Sequence, residues 1–352
     1  MLNIIRLIAL CLALALCRAP LYAAQPSPAF PGQAEQYVVN MTTIYPLEHQ
    51  MVQKVLLPWT ESILDQTDGR LLIRIFAPDT IADSEKLGRA ARLGQAGMVL
   101  SLLSSEAEDF PLSMLAAQGP GSILLKELSG AYWRMFTELP ELGGEFSGIK
   151  LLAAFATDPY QLCMSGRLPY NAESLNGRRF LVDSPMTAIR MESFGAPAAI
   201  IPQPDLKMFM EDKIADGVVL NIGALSRLQL GDYISGVALG DLENGVLWLG
   251  MHQGVWDMLP QDLRNVLVKS SGLAFSQRLG GVVAENYRVQ LEKLELRGIK
   301  VHYFSSEERA RFYKNMQNAG QDAWESMARE KNFNAKALQD RIARIMTDAK
   351  AR

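Results

Sequence analysis

The sequence predicts an α/β protein folded as two lobes with a cleft between them and helices at its C-terminus. Three observations carry this. Strand-like apolar runs alternate with segments of helical period along the chain, the rhythm changes at Ile149, and residues 246–251 return it to its first form. At 352 residues the chain has room for about two domains, and 49% apolar against 21% charged residues suits a large buried core.

The first lobe opens with a short strand at 37–41. Residues 47–66 carry Met51, Val55, Leu56, Trp59, Ile63 and Leu64 at helical spacing, and Asp68-Gly69 turns the chain into a strand at 71–76. A second cycle follows, with a helix at 84–93, a turn at 94–97 and a strand at 98–103. Strands so apolar on both faces belong to sheets covered on both sides. Residues 151–156 and 162–165 read as two more strands, followed by a strand at 179–182, a helix at 187–194, a strand near 199–201, a short helix at 204–210 and a strand at 217–220. A long helical region spans 261–297, then a strand at 300–304. Ser305-Ser306-Glu307-Glu308 is a good helix start, with acids near the positive end, and the helical pattern runs to 351. The division expected is 25–156 plus 247–305 for the first lobe, 157–246 for the second, and 306–352 for helices packing on both. Such an interface between lobes is where ligand sites gather.

Residues 1–24 have the form of a signal peptide. Arg6 is the only charge before Arg18, 7–16 is unbroken apolar sequence, and Pro20 precedes small residues that place cleavage near Ala23/Ala24. The apolar run is shorter than the roughly 20 residues a spanning helix needs. An uncleaved anchor is the alternative; a lipoprotein at Cys17 is disfavoured by the bulky Leu16 before it. The expected location is therefore the periplasm. Of three cysteines only Cys163 lies beyond the leader, in an apolar run, so a buried, inert thiol is expected there.

Composition and motifs exclude several function classes. A net charge of −3 and no basic stripe argue against a nucleic-acid partner. His49, His252 and His302 are the only histidines, and neither a nucleophile elbow nor a metal-ligand spacing is present. The glycines of 240–250 do not form a dinucleotide or phosphate loop. No cofactor and no catalysis are expected.

Several local phrases, in order, resemble the periplasmic solute-binding subunit of TRAP (tripartite ATP-independent periplasmic) transporters, of the dicarboxylate-binding type. Thr67-Asp68-Gly69-Arg70-Leu71 is similar to that family's T-G-G-R-L. Ser174-Leu175-Asn176-Gly177-Arg178-Arg179 resembles its L-K-G-x-K turn, and Val255-Trp256-Asp257-Met258-Leu259-Pro260 its F-W-D-S-L-P. Gly195-Ala196, Pro202, Asp205-Leu206 and Asp216-Gly217 fall in the family's order. The resemblance covers most of 37–330. It implies a periplasmic-binding-protein-like fold that closes over a small organic solute and delivers it to the membrane permease subunits of a TRAP transporter, as a monomer or homodimer.

One departure stands out. The family's ligand arginine, in the strand after the L-K-G turn, falls here at Leu181, with Arg179 one strand repeat earlier on the same face. A second family arginine falls near Tyr160. A buried carboxylate without a cation is costly, so a neutral or cationic solute is expected. The alternatives are that Arg179 reaches in and preserves acid binding, or that the protein serves a regulatory role without a transported ligand. An exported enzyme is a rival of another class. Candidate ligand residues by position are Tyr45 and His49 after the first strand, Ser104 and Ser105 at the carboxyl end of the 98–103 strand, and Tyr160, Arg179, Leu181, Asp183 and Asn221 from the second lobe.

Overall fold

A computed structural model of the chain describes residues 24–27, 35–117 and 123–350. The expected leader, up to residue 23, lies outside the described residues, as does Gly119-Pro120-Gly121, which the sequence alone reads as a turn.

The described chain begins with a short strand, β1 (Ala24–Ser27), antiparallel to β2 (Gln36–Thr43). A π-helical stretch leads into α1 (Leu57–Gln66), which ends at Asp68 and Gly69, both at positive φ (50° and 77°). That left-handed pair is why the turn carries Asp-Gly. β3 (Leu71–Phe76), α2 (Leu87–Arg92), β4 (Met98–Leu102) and α3 (Leu125–Glu138) complete the first α/β layer.

The strand β5 (Ile149–Met164) organises the molecule. Sequence reading breaks it at Asp158-Pro159, yet it is one continuous strand of 16 residues. Its first half pairs antiparallel with β10 (Asn244–His252), and its second half pairs with β8 (Gly217–Asn221) and β9 (Gly236–Leu239). Pro159 sits opposite Asn244 at the handover, where a residue without an N–H leaves no donor to satisfy. The first sheet therefore runs β3-β2-β4-β10-β5. The second runs from β11 (Lys300–Tyr303) through β9, β5, β8 and β6 (Phe180–Val182) to β7 (Ala198–Ile200). The strand at 300–304, expected with the first lobe, pairs in parallel with β9 of the second sheet, where β9 had an open edge to fill.

Alternation decides what each face of the second sheet covers. Phe180 and Val182 join Tyr160, Leu162 and Phe312 on one side; Leu181 joins Cys163, Val218 and Leu220 on the other. Cys163 is fully buried, as expected, and burial pushes its thiol well up.

Helices tie the lobes together. α4 (Pro185–Glu192) and α5 (Ile222–Arg227) belong to the second lobe. α6 (Leu273–Leu296) buries Phe275, Leu279 and Val283 in the first core and Leu294 in the second. α7 (Ser306–Lys331) places Phe312 and Met316 on the second lobe and Trp324 on the first, and α8 (Ala335–Lys350) returns to α3. α3 and α6 approach so closely at Gly280 that an added Cβ would lie 2.2 Å from Ser129 Oγ and 2.5 Å from the Leu125 carbonyl. Gly280→Ala is expected to destabilise the fold by about 1–3 kcal/mol through overpacking, measured by urea denaturation; an unchanged midpoint would show that the two helices part easily.

Candidate functional site

Two connected spaces lie between the lobes. An open cleft of about 1030 Å³ is lined by Glu85, Ser104 and Ser105 from the first lobe and by Asp183, Pro202 and Gln203 from the second. Behind it is a cavity of about 30 Å³, lined by Tyr45, His49, Asp158, Asn221, Arg227 and Asn286, with Gln203 common to both. One water needs roughly 10–15 Å³, so the inner cavity has room for about two or three waters, while the outer cleft is far larger.

The first-lobe wall begins where β2 ends. Tyr45 and His49 stack with ring centroids 4.3 Å apart and planes 13° apart. The Met51 amide donates to His49 Nδ1 at 3.1 Å, which leaves the ring proton on Nε2. Burial and the nearby Arg227 push His49 down to about 4, so the ring is neutral at ordinary pH. Ser104 and Ser105 follow β4 in a 3-10 turn, and Ser105 bonds to Glu85, whose carboxyl burial pushes up to about 7.

The second-lobe wall is a relay of polar side chains from strand ends. The Tyr160 hydroxyl donates to Asp183 Oδ2 at 2.7 Å, and Gln203 Nε2 donates to the same oxygen at 2.6 Å. Arg227 Nη2 donates to Gln203 Oε1 at 2.5 Å. Burial raises the Asp183 carboxyl above its usual range, against the pull of Gln203 and Tyr160. Asn221, at the carboxyl end of β8, accepts from the Ala224 amide at 2.7 Å and caps α5; that cap fixes where α5 starts and so where Arg227 emerges at its end. Asp158 accepts from the Gly223 amide at 3.0 Å, and burial pushes it up to about 7.

Seven of the nine sequence candidates thus face the two spaces or the residues lining them: Tyr45, His49, Ser104, Ser105, Tyr160, Asp183 and Asn221. Arg179 and Leu181 do not line either space. Arg179 precedes β6 at its amino end, its amide bonded to Asp216, while the cleft lies at the carboxyl ends of the strands. Leu181 is 1% exposed and faces the apolar layer, so strand alternation turns it away. Sequence reading missed Arg227, Gln203 and Glu85. Arg227 stands in no quoted phrase; the one signal that points to it is a capping Asn ending a buried strand, which predicts a short helix rising from the ligand side of the sheet.

Glu85, Asp158 and Asp183 are carboxyls with raised pKa near the Arg227 guanidinium, and Lys86, Arg89 and Arg92 also line the outer cleft. Glu85 and Asp158 hold their protons to higher pH when folded, so their contribution to stability falls as pH rises from about 4 to about 7. His49 acts oppositely between about 4 and its ordinary 6.5. Glu85→Gln isolates one group: its stability relative to the parent protein is expected to rise from about pH 4.5 to about 7 and level off above, in thermal melts across pH. A difference independent of pH would contradict this.

The architecture defines a class: the fold is that of the periplasmic solute-binding proteins of TRAP transporters. The chain matches one such protein from a marine metagenome, described as specific for aromatic acid ligands and solved with 3-hydroxybenzoate, with a TM-score of 0.82, 17% identity, and 89% and 99% of the two chains covered. A TRAP solute-binding protein from Rhodoferax ferrireducens with copurified benzoate gives 0.81 at 16% identity, over 89% and 98%. One from Bordetella bronchiseptica with bound mandelate gives 0.78 at 20%, over 89% and 99%. In sequence the chain is 23% identical over 293 residues to the outer membrane transporter protein TsaT of Comamonas testosteroni, covering 82% of this chain and 84% of that protein. No protein-family model matches. Among the described residues no helix is long and apolar enough to cross a membrane, and no cluster of potential metal ligands occurs.

Proposed function

We propose that the chain is an exported solute-binding protein that captures a small organic acid between its lobes and delivers it to the permease subunits of a TRAP-type transporter. The observation that carries this reading is Arg227. Its guanidinium lines the inner cavity, forms no salt bridge among the described residues, and spends one hydrogen bond on the neutral Gln203. A planar cation with spare donors in a low-dielectric cavity is a seat for a carboxylate, which it binds in two-pronged fashion. The guanidinium that sequence reading sought on β6 thus comes from α5, which weakens the case for a neutral or cationic solute. The flat Tyr45–His49 stack suits a ring, and aromatic acids are what the solved neighbours named above carry. β5, α6 and α7 span both lobes and supply the hinge for closure.

A thermal-shift survey of organic acids, amines and neutral sugars tests this. A ligand at about 100 times its Kd stabilises the native state by about 2.7 kcal/mol, so at least one carboxylate is expected to raise Tm clearly. Shifts confined to amines or sugars would overturn the reading.

A further inference from the structure

The acid-binding reading leaves two buried polar atoms unexplained. Among the described residues, Asp183 Oδ1 is buried without a hydrogen-bond partner, although Asp183 Oδ2 accepts two bonds, and buried Ser104 Oγ has no neighbour to bond but the Tyr160 hydroxyl. Asp183 is 7% exposed. The two come from opposite lobes and line the same open cleft. Tyr160 connects them: its hydroxyl donates to Asp183 and lies beside Ser104. A carboxylate oxygen only accepts, while a serine hydroxyl both donates and accepts. The missing partner of such a pair is a hydrogen-bond donor, placed where closing lobes would bring Asp183 and Ser104 to it.

Resting on the acid-binding reading, we infer that the natural solute carries, besides its carboxylate, a hydroxyl or ammonium group that bonds to Asp183 Oδ1 and Ser104 Oγ. Arg227 stands two side chains away through Gln203, so the carboxylate and the donor would sit on one small molecule. A site built around a buried acceptor discriminates strongly against a ligand lacking the donor, because the acceptor then stays unpaired in the complex.

The test uses the full mature protein and three matched series: phenylacetate, mandelate and phenylglycine; propionate, lactate and alanine; succinate, malate and aspartate. Affinities are measured by calorimetry or thermal shift. In at least one series the donor-bearing members are expected to bind about 10-fold or more tighter than the donor-free acid. Tighter binding of the amino acid identifies an ammonium, and of the hydroxy acid a hydroxyl. Asp183→Asn and Ser104→Ala should each shrink that gap; Ser104→Ala gives the reading if Asp183→Asn disturbs the Tyr160–Gln203 relay. Equal binding with and without the donor, or a gap that survives Ser104→Ala, overturns the inference while acid binding stands. If no carboxylate in any series binds, the acid-binding reading itself falls and takes this inference with it.

Discussion

Arg227→Ala is expected to weaken binding of an organic acid by 100-fold or more while leaving the melting temperature of the solute-free protein nearly unchanged. The asymmetry follows from what Arg227 touches. Without ligand its hydrogen-bond partner is the Gln203 side-chain carbonyl oxygen, and burial lowers the guanidinium's pKa, so the folded protein gains little from holding it there. With a carboxylate in the cavity, the same side chain becomes the counter-charge of a desolvated anion. Truncating one partner of such a pair costs about 2–5 kcal/mol, and 100-fold in Kd is about 2.8 kcal/mol. Arg227→Lys is expected to recover only part, since an ammonium lacks the planar fork. Calorimetry on the wild type and both variants measures this; full binding by Arg227→Ala would assign the anion elsewhere.

The largest stability effect is expected at Arg190. Its guanidinium pairs with Glu243, with side chains 4% and 13% exposed, and Glu243 also accepts from Thr187 Oγ1. Arg190 lies on α4 and Glu243 just before β10, so the pair joins the second lobe to the strand that returns to the first. Burial pushes Arg190 down to about 10, which still leaves it charged at neutral pH. Arg190→Met strands a buried carboxylate and is expected to cost about 3–5 kcal/mol. The double substitution Arg190→Met/Glu243→Leu is expected to cost markedly less than Arg190→Met alone, because neither charge is then left without its partner. Urea denaturation of Arg190→Met, Glu243→Leu and the double variant separates the cases; a double-variant loss equal to the sum of the two single losses would show that the ion pair carries no coupling.

Turns and helix starts were legible in the sequence because their chemistry is local. Asp68-Gly69 sits at positive φ where the turn demands it, and Ser305 caps α7 by accepting from the Glu308 amide. The two-lobed plan was legible from the change of rhythm at Ile149. What the sequence concealed depends on contacts distant along the chain. Pro159 reads as a strand breaker, yet β5 passes through it because the pairing partner changes there. β11 follows first-lobe helices but fills an edge of the second sheet, and nothing in Lys300–Tyr303 names its neighbour. Leu181 lies in a strand, as its apolar run suggests, but which face its side chain takes depends on a register that a single sequence does not give. Arg227 was invisible for the opposite reason: a helical arginine resembles any surface arginine until the facing wall of Tyr45, His49 and Glu85 is in place.

The most direct measurement is a crystal structure of the protein with its co-purified solute retained. The expected result is an organic acid between the lobes, its carboxylate about 2.7–2.9 Å from the Arg227 guanidinium and its body against Tyr45 and His49. A solute whose nearest cation is any other residue, or one seated outside the cleft, would contradict the assignment.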